Sequence, residues 1–307
     1  MFVRNVFRRK WWLLGLIGIL FILPLVLSPS YSRVLIEVLI FALLAASVNL
    51  PLGYGGVMVF CQALFFSIGA YAVVLLTVKA GFSLAVATIS GPLLAMVAAI
   101  IIGYLCIRLG SMYFALITIG FGLLFYQLVL KWYSLTGGYQ GITGIVRPDL
   151  ISTTVGFYYF TLIVVLICFI LIWILINSPF GKVIQGMREN KERLEFVGVD
   201  CKRIGIILLV IGAFFAAVAG VLRSYLSGGA FPTYAFWLLS IEPLLMSLIG
   251  GIGTFFGPPL GALVLVLGST IAADYTKHWP AIVGIILITV VLAFRKGIVG
   301  TLQERFK

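Results

Sequence analysis

One long charged segment, residues 177–203, interrupts a chain that is otherwise apolar from end to end. Hydrophobic residues make up 63% of the 307 positions, charged residues make up 10%, and the mean hydropathy is +1.22. This composition is typical of a multi-pass membrane protein and argues against a soluble globular domain. Because the chain has so little aqueous mass elsewhere, we expect segment 177–203 to contact a partner.

Apolar runs that approach the roughly 20 residues needed to cross a bilayer recur along the whole sequence. The predicted fold is therefore an all-α polytopic integral membrane protein with about ten transmembrane helices. The sequence leaves open whether 236–273 forms two full spans or a re-entrant hairpin. The ten predicted spans are about 11–27, 34–50, 57–78, 84–107, 112–130, 157–176, 204–226, 236–250, 258–273 and 279–294.

The distribution of lysine and arginine predicts the orientation of these spans, since cytoplasmic loops carry the excess of basic residues. With both the N- and C-termini cytoplasmic, 15 of the 21 basic residues fall on that side, including all six in 177–203. The net charge of +12 then follows from membrane topology and predicts no nucleic-acid partner. The basic N-terminus and apolar residues 11–27 also suggest a signal peptide, but the cleavage pattern is poor, so we expect an uncleaved first helix.

Two carboxylates fall inside apolar spans, where a charge costs roughly 2.5–3.5 kcal/mol at the helix centre on insertion scales. Glu37 follows Arg33 by four residues on the same helix face, so we expect these side chains to pair near the interface. Glu242 has no such neighbour, and Pro243 favours a helix break there. For Glu242 a structural role between spans is favoured over direct contact with a substrate, and both stay open.

Two glycine-rich junctions, 53–56 and 250–253, each lie between apolar helices. Broken helices of this kind line substrate paths in transporters, but close helix packing or a tight turn explains the glycines equally well. Gln62 is a better candidate for a permeation path than Asn49, although a hydrogen bond between helices is the more common role of such residues. The glycine-rich segment 134–145 is predicted to be a plain outer loop, with backbone contact to a small ligand as the alternative.

No catalytic or metal-binding motif is present in the sequence. It lacks H-E-x-x-H, G-x-S-x-G and the phosphate-binding G-x-x-x-x-G-K-[ST], and its single histidine, His278, lies where an interfacial aromatic belt is expected. The four cysteines are isolated and imply neither a disulfide nor a metal site. We therefore expect no enzyme activity, no catalytic residue, no metal site and no cofactor in this chain.

Segment 177–203 is itself amphipathic. Its charges have both signs, and its acidic residues weaken adhesion to anionic lipid, so docking of a cytoplasmic protein is favoured over a purely lipid-facing loop. The periodicity predicts one or two short helices along the membrane face. The apolar residues at helical spacing are Val183, Ile184, Met187, Leu194 and Val197.

These features together resemble the permease subunits of bacterial branched-chain amino-acid ABC transporters, of the LivM type. The resemblance covers most of the chain, and its combination of motifs is more specific than any single one. The motifs are Gly53-Tyr54-Gly55-Gly56 with the helix 62–71, L-T-G-G-Y-Q-G-I-T-G-I at 135–145, Ser178-Pro179-Phe180-Gly181, Arg188-Glu189-Asn190, Ser240-Ile241-Glu242, and G-G-I-G-T-F-F-G-P at 250–258.

The resemblance implies one transmembrane permease domain, 1–307, with 177–203 as a cytoplasmic coupling loop, in the prokaryotic cytoplasmic (inner) membrane. Branched-chain or similar small amino acids would enter the cytoplasm with two cytoplasmic ABC ATPase subunits binding the ATP. The other partners would be a second homologous permease, an extracytoplasmic substrate-binding protein and membrane lipid. The implied substrate path includes Gln62, Tyr71, Thr136, Gly137, Gly138 and Glu242, and the implied ATPase contact includes Arg188, Glu189, Glu192, Glu195 and Gly198.

Two other transport functions fit the same residues. A urea or short-amide ABC permease is similar at these motifs, and the sequence does not separate it from an amino-acid permease. A proton-coupled secondary transporter, with Glu242 as the coupling acid, belongs to a different class. Uptake that survives ATP depletion but requires the proton gradient would favour the secondary transporter.

Overall fold

The computed structural model describes residues 18, 20–24, 28–106, 111–145, 147–148, 151–275, 278, 281, 284–285, 289 and 297–305. Within these ranges, seven helices are long and apolar enough to cross a membrane, as expected of a multi-pass membrane protein. The predicted spans 11–27 and 279–294 lie mostly outside the described residues, as do most of the basic residues near the two termini. The orientation of the termini therefore stays a prediction.

The helices agree closely with most of the predicted spans. The two short strands β1 (Ile142–Thr143) and β2 (Gly229–Ala230) form an antiparallel ladder with Ile142 opposite Ala230. A single α-helical turn, Tyr133–Thr136, lies shortly before β1. In chain order the described helices of six residues or more are α1 (Pro29–Asn49, continued by a π-helical turn, Leu50–Tyr54), α2 (Gln62–Val74, continued by a π-helical turn, Leu75–Lys79), α3 (Leu84–Cys106), α4 (Ser111–Lys131), α5 (Thr154–Asn177), α6 (Pro179–Glu189), α7 (Lys191–Phe196), α8 (Cys201–Ser227), α9 (Leu238–Gly250), α10 (Gly257–Tyr275) and α11 (Gly297–Arg305).

Helices α1, α2 and α8 form the centre of the bundle, and most of their residues are buried. Glycine lets α2 and α8 approach to backbone contact, because a side chain at Gly69 would overlap the backbone of Ala217 and one at Gly220 would overlap the backbone of Phe66. Helices α3, α4 and α5 lie outside this centre with many apolar side chains exposed, as a lipid-facing surface requires.

The predicted span 57–78 is wrong at its start, because 57–61 has no regular secondary structure and α2 begins only at Gln62. Non-helical backbone inside a membrane bundle needs protein or water partners. Here the Phe60 N–H donates to the Thr118 hydroxyl at 3.2 Å, and the Ala63 N–H donates to the Ser240 hydroxyl at 2.9 Å. Hydropathy alone does not distinguish such an irregular apolar stretch from a helix.

The bundle has two ends with different roles. We call the end that carries 49–57, 177–203 and 250–257 the loop end, and the end that carries 132–145 and 227–236 the far end.

Helix α9 has 13 residues and is about 20 Å long, too short for a hydrocarbon core of roughly 30 Å. The region 236–273 thus consists of a short helix reaching the loop end and a longer helix, α10, returning from it.

Candidate functional site

The two glycine-rich junctions meet at the loop end, although they are far apart in the sequence. The side chain of Asn49 links them: its amide donates to the carbonyl oxygen of Thr254 at 2.9 Å and its oxygen accepts from the Gly253 N–H at 2.8 Å. Arg188 of α6 donates to the carbonyl oxygen of Gly53. We call these residues, Asn49, Gly53, Arg188, Gly253 and Thr254, the loop-end junction.

Two glycines are needed for this approach. A Cβ atom at Gly53 would lie 2.7 Å from the Gly253 nitrogen and would overlap the Asn49 side chain. Gly253 has a φ of 78°, a left-handed conformation that other residues rarely adopt. The sequence left helix breaking and close packing equally open for these glycines, and the structure contains both, since two chain breaks pack against each other.

Asn49→Leu is expected to lower stability by about 1–3 kcal/mol, because the change leaves the Gly253 N–H and the Thr254 carbonyl without partners. Melting of the purified protein in detergent measures this effect. Asn177→Leu is the matched control, since Asn177 is exposed and the hydrogen bond that the structure shows for its amide, to the Trp173 carbonyl, lies within its own helix. Equal melting temperatures for the two variants would contradict the proposed bridging role of Asn49.

The charged segment 177–203 folds as predicted into two short helices, α6 and α7. Their N-termini are capped by Ser178 and Asn190, whose side chains accept hydrogen bonds from the N–H groups of Gly181 at 3.1 Å and Arg193 at 2.9 Å. The apolar face of α6 packs on the start of α8. The buried residues of this contact are Ile184, Met187, Cys201, Ile204 and Leu208.

The tip of the segment instead presents apolar side chains to solvent. Phe196 is 91% exposed and Val197 is 77% exposed, so Val197 does not take part in the buried contact that Ile184 and Met187 make with α8. Gly198 follows them with a φ of 88°. Glu189, Glu192 and Glu195 are exposed around this tip. Arg188 was also assigned to an ATPase contact, but unlike these glutamates it makes a contact inside the protein. Its guanidinium donates a hydrogen bond to the carbonyl oxygen of Gly53.

Three charged side chains, Glu37, Arg223 and Glu242, come together between α1, α8 and α9. Glu37 and Arg223 form a hydrogen-bonded ion pair across two helices, and Glu242 is close enough to interact electrostatically with both. The predicted pairing of Glu37 with Arg33 is therefore wrong. A partner on the neighbouring helix neutralises Glu37 inside the bundle, whereas Arg33 is exposed near the start of α1. We call these three residues the charged cluster.

Tyr71 lies in the same region as the charged cluster. It is near Tyr234, whose ring centroid is 6.0 Å from the guanidinium carbon of Arg223. The Tyr71 hydroxyl is buried and has no hydrogen-bond partner among the described residues. Gln62 lies nearer the loop end, where its amide donates to the Ser47 carbonyl at 3.5 Å and its buried oxygen likewise lacks a described partner.

Thr136, Gly137 and Gly138 shape the far-end loop. The Thr136 hydroxyl donates to the carbonyl oxygen of Val129, and the two glycines have φ values of 76° and 58°. This loop continues into β1, which pairs with β2 just before Tyr234. The sequence did not identify Arg223 or Tyr234 as site residues. The signal for Arg223 was its position inside the predicted span 204–226, where a basic residue needs a partner.

Comparisons with known proteins agree with this architecture. The family described as branched-chain amino acid transport system, permease component, matches residues 30–294. Over 98% of its length the chain is 23% identical to the high-affinity branched-chain amino acid transport system permease protein LivM of Escherichia coli strain K12, covering 77% of that protein.

Two partial similarities extend this result. The chain is 33% identical to the probable branched-chain amino acid transport permease protein LivM of Methanocaldococcus jannaschii, over 50% of this chain and 45% of that protein. It is also 29% identical to the permease protein LivH of Escherichia coli strain K12 over 40% of each chain. No solved structure matches the chain.

Proposed function

This chain belongs to the family of permease components of branched-chain amino acid transport systems, and on that premise we propose that it is the membrane-spanning subunit of an ATP-binding-cassette importer. It would carry branched-chain or similar small amino acids into the cytoplasm. The chain has no ATPase site in this proposal, and partner subunits bind the ATP. The 177–203 segment would be the cytoplasmic coupling loop, with both termini on the same side of the prokaryotic inner membrane.

The partners in this proposal are two ATPase subunits, a second permease and an extracytoplasmic binding protein. The observation that supports an ATPase contact is the exposed tip of segment 177–203, where Phe196 and Val197 face solvent between charged side chains. Exposed aromatic side chains with a charged rim are typical of protein interfaces. The tip belongs to a loop whose helices pack on α8, so a partner there would contact an element joined to the transmembrane bundle.

The test is uptake of L-leucine by proteoliposomes that contain this chain with its second permease, its ATPases and its binding protein. We expect accumulation with ATP and none with a non-hydrolysable analogue. Phe196→Asp is expected to abolish both ATPase association and uptake. Phe82→Asp, the same change at an exposed phenylalanine in the connection between α2 and α3, is the matched control and should leave both intact.

Other outcomes separate the alternatives. Uptake of urea but not of L-leucine would support the short-amide permease. Uptake driven by a proton gradient without ATP would support the secondary transporter. ATPase association that survives Phe196→Asp would contradict the proposed contact while leaving the transport function untouched.

A further inference from the structure

We propose that the charged cluster, Glu37, Arg223 and Glu242, binds the charged head group of an α-amino acid during its passage. The substrate carboxylate would pair with Arg223, and the substrate ammonium group would pair with the glutamates. This inference rests on the proposed function and specifies which part of the substrate the chain recognises. None of the three residues lies in the 177–203 segment.

The first argument is the position of the charges. Glu37–Arg223 is the one ion pair between membrane-spanning helices within the described parts of the chain, since the other two pairs lie in 191–203. Charged side chains inside a membrane are costly and are found facing a bundle interior or a water-filled cavity. A pair that only joined two helices could be replaced by apolar packing at little cost.

The second argument is the composition of the cluster. One cation, Arg223, is paired with Glu37 and lies within electrostatic range of Glu242, so the cluster has one carboxylate more than its own cation neutralises. The side chains of Arg223 and Glu37 remain 25% and 32% exposed, so the pair is open on one side. An α-amino acid carries one carboxylate and one ammonium group. Its carboxylate can replace Glu37 as the partner of Arg223 while its ammonium group pairs with the glutamates, and the net charge of the region does not change.

The third argument is the polar and aromatic surroundings. The Tyr71 hydroxyl, without a described partner, is within electrostatic range of Tyr234, and Tyr234 packs edge-on against Phe66 at 5.7 Å between ring centroids. The hydroxyl can donate a hydrogen bond to a bound carboxylate. Phe66 and Tyr234 are buried apolar neighbours of this region, and in this proposal they would contact the hydrocarbon side chain of the substrate. Urea has neither charge nor a hydrocarbon side chain, so this combination favours an amino acid.

The experiment is a charge swap, measured with L-leucine on the complete complex in proteoliposomes. Arg223→Gln alone should lower uptake at least about tenfold, the effect expected from losing one charge-assisted hydrogen bond. The double variant Glu37→Arg with Arg223→Glu restores an ion pair in the opposite direction. We expect it to restore assembly and melting temperature, but uptake should stay at least about tenfold below wild type because the swapped pair presents its charges to the substrate in reverse.

Two further variants keep the test decisive if the swap fails to assemble. Glu242→Gln keeps the side-chain shape and should raise the KM for L-leucine several-fold without changing assembly. Lys79→Gln removes a cation at the far end, where the structure shows the Lys79 ammonium group donating to the carbonyl oxygens of Ser134 and Leu135, and it should leave the KM unchanged.

The outcomes separate this inference from the proposed function. Restored uptake in the charge swap, or an unchanged KM in Glu242→Gln, would overturn the binding role and leave the ion pair as a helix–helix or permease–permease contact. ATP-driven L-leucine uptake by the wild type would still stand in that case. Absence of uptake by the wild type would contradict the proposed function and this inference together.

Discussion

Gly220→Ala is expected to destabilise the bundle by about 1–3 kcal/mol or more, the usual cost of overpacking a close contact. The added methyl group would overlap the backbone carbonyl of Phe66. A backbone group cannot rotate away as a long side chain does, so α2 and α8 would have to separate. The backbones of the same two helices are also in close contact at Gly69, so separating α2 from α8 would disturb this second contact as well.

Thermal melting in detergent and the fraction of monodisperse protein measure this effect. Gly120→Ala in α4 is the matched control, because a methyl group there would meet nothing within 4 Å. Alanine is the better helix former by roughly 1 kcal/mol, so the control should be as stable as wild type or more stable. A Gly220→Ala protein that melts with the control would show that α2 and α8 are less tightly packed than described.

The sequence predicts the helices well, but it does not predict which glycines pack closely against a neighbouring helix. Hydropathy is a local property, so the predicted spans 84–107 and 112–130 agree with α3 and α4 within about two residues. The amphipathic spacing of 177–203 likewise predicted α6 and α7, because helical periodicity is local too. Which glycine packs against a neighbour depends on the helix opposite, and the local pattern does not contain that information.

The charged cluster shows the same limit. The sequence predicts that Glu37 pairs with Arg33, four positions away on the same helix. The partner in the structure is Arg223, which is 186 positions further along the chain. The local sequence gives Glu242 no charged neighbour, because Arg223 and Glu37, which influence it, lie on other helices. Pairing inside the membrane depends on tertiary structure, because a buried charge is costly and its opposite charge can come from any neighbouring helix.

The loop-end junction was partly visible in the sequence. The sequence identifies both glycine-rich junctions, but it does not predict their contact through Asn49. Asn49 and Gly253, which form the hydrogen bond, are 204 positions apart in the chain. Arg188 was grouped with the exposed acidic residues because it precedes Glu189 in a family motif. A motif specifies residues and spacing, but it does not specify which way a long side chain turns at the end of a helix.

Arg188→Ala is therefore expected to lower ATP-driven uptake at least about tenfold while ATPase association is retained, which follows from the proposed function and from the loss of a charge-assisted hydrogen bond. The Arg188 guanidinium joins α6 to the carbonyl of Gly53. A shift of α6 produced by an ATPase would pass through this contact to the breaks that end α1 and α9. Without it, the ATPases should bind and hydrolyse ATP with little transport.

Uptake, ATP hydrolysis and co-purification of the ATPases must be measured on the same preparations. Arg193→Ala is the matched control, an arginine of the same segment whose side chain is exposed, and it should retain uptake. Phe196→Asp should give the complementary result, with association itself lost. If Arg188→Ala instead released the ATPases as Phe196→Asp does, the arginine would belong to the docking surface and the loop-end junction would have no part in coupling.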